Sequence, residues 1–161
     1  MTSYKPLVIG IEHRMKYLDD VVMILKQQHL SKKKVMLEIS SYPIPQKYWK
    51  LNREFYDFFN GLGMYIKACR GIIVPGDSEE LIDNAVQKRD EIRHLFYTKF
   101  SSEWLPAIEK IDNAERNPYF LAVTLKENPD IIILHKNHAK YINENISCEY
   151  IPVPNLKNGL G

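Results

Sequence analysis

A chain of 161 residues is about the size of one domain, long enough for a sheet with helices packed on it and too short for two ordinary cores. Apolar residues make up 45% and charged residues 26%, ordinary globular usage, and the apolar runs are only a few residues long, so nothing is expected to span a membrane. Net charge is +2 with a pI of about 8.4, short of the domain pI above ~9 and the clustered basic face that phosphate-contacting proteins show, so a small-molecule or peptide substrate is the expected partner ahead of nucleic acid.

The first residues, MTSYKPLVIGIEHR, hold one Lys, no apolar h-region and no small-residue cleavage site, which makes the cytosol the expected compartment. Lys5 to Gly10 is a short apolar run ending in Gly, a buried strand entering a tight turn, with Glu12-His13-Arg14 after it. From Met15 to Gln28, Leu18, Val21, Val22 and Leu25 fall on one helix face. Lys32-Lys33-Lys34 reads as a solvated loop before the second apolar run, Val35 to Ile39, and strand, helix, strand at this spacing is a parallel crossover unit. Glu38 is the odd residue of that run. Either it has a partner, a metal or water, or it already stands at the solvent edge, because a lone buried carboxylate costs several kcal/mol or is driven neutral.

Tyr42-Pro43-Ile44-Pro45 is a stiff linker. Tyr48, Leu51, Phe55, Phe58 and Leu62 mark one stripe of a long helix that Gly61 and Gly63 are expected to bend or interrupt. Gly71 to Asp77 is a third strand and its exit turn, with Asp77 or Ser78 able to cap the next helix, which runs from about Glu79 to Phe100. Ser101 to Asn113 reads as a connector. Asn117-Pro118 dates the next helix start, since Pro is tolerated in a first turn. Pro129-Asp130 breaks that helix, Ile131 to Leu134 is a fourth strand, and Tyr150 to Val153 is a candidate fifth. Cys69 and Cys148 lack CxxC spacing and read as two thiols, and His29 and His94 lie on helix patterns as structural residues. The expectation is an α/β fold: a single domain over 1–154 with a mainly parallel four- to five-stranded sheet and helices packed on it, then a flexible tail over 155–161.

Four features line up along this scaffold: Gly10-Ile11-Glu12-His13 after the first strand, Glu38 at the end of the second, Glu115-Arg116 opening a helix, and Asn137-His138 after a late strand. In that order and spacing the chain resembles the superfamily that groups the TraB/PrgY proteins, the GumN proteins, the Tiki ectodomains, erythromycin esterase and the ChaN haem-binding lipoproteins. The resemblance runs over roughly Val8 to Tyr141, with a long middle where only the strand–helix order matches. It implies a first GxxH on Gly10 and His13, a strand-end acid at Glu38, a helical Arg at Arg116 and a second GxxH over His135 to His138. There His135 replaces the family's Gly, so a side chain either obstructs close backbone approach or replaces another ligand. Members differ in activity: Tiki proteins look like metal-dependent peptidases, erythromycin esterase is a hydrolase, and ChaN binds haem. Shared fold does not fix function.

Two neutral imidazoles and a carboxylate are enough to hold a catalytic divalent ion, so His13, Glu38 and His138 are the expected ligands of Mn, Zn or Co in a metal-dependent hydrolase. Glu12 or Asp77 would then serve as general base, and Arg116 would bind a substrate carboxylate or an oxyanion, or pair with Glu115 or Glu38. A metal-free alternative uses His13 or His138 as general base beside Glu38, as in an esterase. A third reading is a binding or regulatory module that kept the fold. Asp77, Glu79 and Glu80 stand near Lys88 in sequence, but no strand carries the Asp…Glu-x-Lys arrangement of a nuclease.

Overall fold

A computed structural model describes residues 4–96 and 104–154; the expected tail over 155–161 and the stretch 97–103 lie outside the described residues. The strands are β1 (Leu7–Ile11), β2 (Lys34–Leu37), β3 (Ile72–Pro75), β4 (Ile131–His135) and β5 (Glu149–Val153). The helices are α1 (Leu18–Lys26), α2 (Gln46–Trp49), α3 (Arg53–Ala68), α4 (Glu79–Phe96), α5 (Trp104–Glu127) and α6 (Lys136–Asn145). Among the described residues the strands form one sheet in the order β3-β2-β4-β1-β5, every neighbouring pair parallel.

Alternation along the strands decides which side chains face which helices. Leu7, Ile9 and Ile11 of β1, Val35 and Leu37 of β2, and Ile131 and Ile133 of β4 pack with Val21 and Leu25 of α1 and with Phe55, Phe58, Phe59, Leu62 and Ile66 of α3. The intervening residues Val8, Met36, Val74, Ile132 and Leu134 pack with Phe120 of α5 and with Ala139 and Ile142 of α6. Both faces of the sheet are therefore covered, which is why its strands read as continuous apolar runs.

Chain order and spatial order part company at β4, which sits between β1 and β2. The chain leaves β1 and β2 toward α1 and α3 on one face, and leaves β4 toward α6 on the other. Neighbouring strands whose exits diverge leave a crevice beyond their carboxyl ends, the place where open α/β sheets bind ligands. Both edge strands carry proline, Pro75 at the end of β3 and Pro152 within β5.

Three local expectations change. The long helix after the Pro linker is divided into α2 and α3, because Asn52 leaves helical geometry and its side chain accepts a hydrogen bond from Phe55 N–H as the cap of α3. Gly61 and Gly63 do not interrupt α3. Gly63 is buried against the Tyr42 ring, which a Cβ would strike, so glycine serves close packing there. Pro118 does not open a helix: α5 begins at Trp104 and carries Pro118 in its interior. An interior proline costs about 3 kcal/mol, and burial of Asn117, Phe120 and Thr124 beside it outweighs that local preference. α5 stops where Asn128 turns left-handed, with φ 48°, just ahead of Pro129.

Helix propensity alone would make Gly63→Ala stabilising by about 1 kcal/mol. Packing against Tyr42 reverses the sign: Gly63→Ala should lose about 1–3 kcal/mol in urea unfolding, the range for an overpacked core position, and Tyr42→Ala in the same chain should recover part of that loss.

Candidate functional site

The strand register brings the strand-end residues together. Ile11 pairs with His135, so His13 emerges two residues beyond that rung, beside the end of β4. Leu37 pairs with both Ile133 and Pro75; one step further sets Glu38 level with Leu134 and Gly76, next to the His135 backbone and just short of Asp77. Backbone hydrogen bonds from Gly76 N–H to Leu37 O at 2.9 Å and from Asp77 N–H to Ile39 O at 3.0 Å hold the two exits alongside each other. A pocket of about 230 Å³ opens there, lined by His13, Glu38, Arg116, His135, Asn137 and His138 on its polar side. The N-terminal half of α4 and the middle of α5 wall it in, and Leu51, Phe55 and Tyr56 close the side next to α3.

Its floor is an ion cluster. Arg116 Nη2 donates to Glu38 Oε2 at 3.2 Å and to Asp77 Oδ2, so one guanidinium on α5 ties together the exits of β2 and β3. Glu38 is 3% and Asp77 4% exposed, so these are charges withdrawn from water. Glu38 Oε1 accepts from His135 N–H at 2.9 Å. Burial pushes the Glu38 carboxyl up, but His138, Arg116 and the His135 N–H outweigh it and hold Glu38 below the usual carboxylate range. For Asp77 the balance goes the other way: burial and the nearby Glu38 charge raise its carboxyl despite the guanidinium and the Ser78 N–H. Asp77 also holds Ser78 N–H at 2.9 Å, and Ser78 Oγ caps α4.

Three imidazoles stand above this floor. The His13 ring lies edge-on to Phe55 at 4.5 Å and 5.0 Å from the His135 ring, which is 6.1 Å from His138. Burial lowers His13 below its ordinary value, against the pull of Glu38. Burial likewise takes His135 down to about 4, with the charges of His13, His138 and Lys136 working in the same direction. His135 is the N-cap of α6: its Nδ1 accepts from Asn137 N–H at 3.4 Å, which leaves the proton of the neutral ring on Nε2. His138, in the first turn of α6, donates from Nδ1 to Asn117 Oδ1 at 2.6 Å, and its ring packs 4.9 Å from Phe120.

Of the residues singled out from the sequence, His13, Glu38, Arg116 and His138 line this one pocket, and Asp77 is buried behind Arg116. Glu12 is not among the lining residues. It stands at the surface with Lys136 Nζ at 3.0 Å, and that hydrogen bond holds its carboxyl low, a poor situation for a general base at neutral pH. Glu115 pairs across to Lys88 of α4 instead of to Arg116. The triple-lysine run begins β2 at the opposite edge of the sheet, where Lys33 Nζ donates to Gln28 O and Lys34 Nζ to Glu127 O. Asn117, expected at a helix start, lies inside α5 and partners His138; that contact joins two helices and leaves no local signal.

A divalent ion held by His13, Glu38 and His138 needs three lone pairs aimed at one point. The imidazoles and the carboxylate are of the right donor type, and each Glu38 oxygen, with one hydrogen bond accepted, keeps a second lone pair. Among the described residues no three His, Cys, Asp or Glu side chains are gathered to hold a metal, so the arrangement as it stands does not fit one. Among them, too, no helix is long and apolar enough to cross a membrane.

The two acids should respond differently to loss of charge. Glu38 has a lowered folded-state value, so it contributes stability above its unfolded value near 4.5, and that contribution goes as pH falls through the lower one. Asp77 has a raised value, so its ionisation weakens the fold as pH rises. At pH 7, Glu38→Gln is expected to lower the urea midpoint markedly and Asp77→Asn much less; equal losses would show that both acids matter only as partners of Arg116.

No family model, curated protein or solved structure matches this chain.

Proposed function

We propose that the chain is a hydrolase whose active site is the pocket at the β1/β4 crevice, with His13 as general base and no metal required. The observation that carries this reading is the convergence of His13 and His135, each held unprotonated at neutral pH, over a compensated Glu38–Arg116–Asp77 floor. A general base has to be unprotonated at the working pH and within reach of a water, and burial keeps His13 in that state.

In this scheme His13 takes a proton from a water as the water oxygen attacks a carbonyl carbon. The neutral His135 ring donates its Nε2–H to the oxyanion that develops, a role in which a neutral imidazole at a helix N-terminus is effective. The proton held on His13 then passes to the leaving group as the carbon–heteroatom bond breaks. Glu38 does not touch the water; its charge stabilises the imidazolium while it lasts. Arg116 holds Glu38 in place and shields it from the Asp77 charge. Metal dependence, which the resemblance implies for His13, Glu38 and His138, would require these three side chains to turn toward one point.

Protein purified without a nickel column and assayed against ester, peptide and phosphodiester substrates should hydrolyse at least one class in the presence of chelator. His13→Gln should lower the rate by about 10²–10⁴-fold, the usual contribution of a positioned acid–base group. Because its value is lowered, the rate should hold steady through neutral pH and fall only below the ordinary value of 6.5. Hydrolysis of no class would refute the proposal, leaving a binding module. Loss of rate with chelator, restored by Mn, Zn or Co, would replace the metal-free form by the metal-dependent one.

A further inference from the structure

We infer that the pocket takes a short acyl substrate bearing an anionic group remote from the scissile bond, and that Arg89 on α4 is the residue that selects it. The inference rests on the pocket being the substrate site. Ile82, Ala85, Val86 and Arg89 all line the pocket, and their spacing of three, four and seven residues makes them one stripe of α4. Three apolar residues are followed on the same face by a cation. The rise of an α-helix sets Arg89 about 10 Å along the axis from Ile82, a span that a chain of a few carbons covers together with the length of an arginine side chain.

Charge accounting singles out Arg89. Arg116 is offset by Glu38 and Asp77, and the preceding Lys88 is paired with Glu115. Arg89 is half-buried and makes no hydrogen bond or ion pair among the described residues, while its planar guanidinium is suited to a carboxylate. Glu109, the opposing charge at the mouth, is exposed and so more fully screened by water. The helix α6 directs its N-terminus at the imidazole end of the crevice, where its partial positive charge favours the oxyanion formed at the scissile carbonyl. At about 230 Å³ the pocket is below the range of ~300–1,000 Å³ that drug-sized ligands occupy, which keeps the substrate small. A monoester or monoamide of a short dicarboxylic acid has this shape: a scissile carbonyl at the imidazoles, methylenes along the α4 stripe, and a carboxylate at Arg89.

Glutaramate and butyramide differ by one carboxylate and serve as binding probes, followed by titration of imidazole and backbone NMR signals. The full chain should bind glutaramate at least ten-fold more tightly than butyramide; Arg89→Gln should abolish the difference and Arg89→Lys keep most of it. Equal binding of the two amides, binding of neither, or a preference that survives in Arg89→Gln overturns the inference. Hydrolysis of monomethyl glutarate and methyl butyrate is measured in parallel. Arg89-dependent binding without turnover of either ester upholds the anion site while going against the hydrolase reading. Equal turnover of both esters does the reverse.

Discussion

Arg116 is the residue on which the carboxyl edge of the sheet depends. A single guanidinium nitrogen serves Glu38 after β2 and Asp77 after β3, both nearly sealed from water, while the face of the same group lies 5.3 Å from the Phe120 ring. Buried ions of this kind contribute little net stability, because desolvation offsets most of their attraction. Removing one partner is another matter: two stranded carboxylates would cost about 3–5 kcal/mol, or one would take up a proton. The cluster is better understood as a device for position. It fixes where β2, β3 and α5 meet, and through the His135 N–H it extends to β4.

From that anchoring follows the placement of the imidazoles. β4 lies between β1 and β2, so residues far apart in the chain leave adjacent rungs of the sheet at the same height. His13 continues from β1, His135 ends β4, and His138 follows within one turn of α6. Each is steadied by something other than a charge: Phe55 against His13, the Asn137 N–H on His135, Asn117 on His138. His13 and His135, lowered by burial and held by such contacts, can accept and release a proton without reorganising the floor beneath them.

The parts of this arrangement that depend on local pattern were legible in the sequence. Apolar β-branched runs marked the strands because both faces of a parallel sheet are buried, and the polar residues that interrupt or follow those runs, His13, Glu38 and Asp77, fall at strand ends for the same reason. What could not be read depends on contacts between distant segments. Pro118 pointed to a helix start, but packing of α5 against the sheet and the pocket carries the helix through it. α6 was hidden because its cap is a histidine, an uncommon choice that the crevice makes possible. Glu12 and His13 are adjacent in sequence, and only the direction of the chain after β1 separates a surface ion pair from a pocket wall.

The prolines at the sheet's two margins also have a bearing on how this chain meets others. Pro75 and Pro152 each lack the amide hydrogen that an incoming strand would need, so neither border offers an uninterrupted row of donors for lateral addition. Edge-to-edge growth of the kind that leads toward fibrils is thereby discouraged, and a peptide laid along either border would meet a gap in its main-chain pairing.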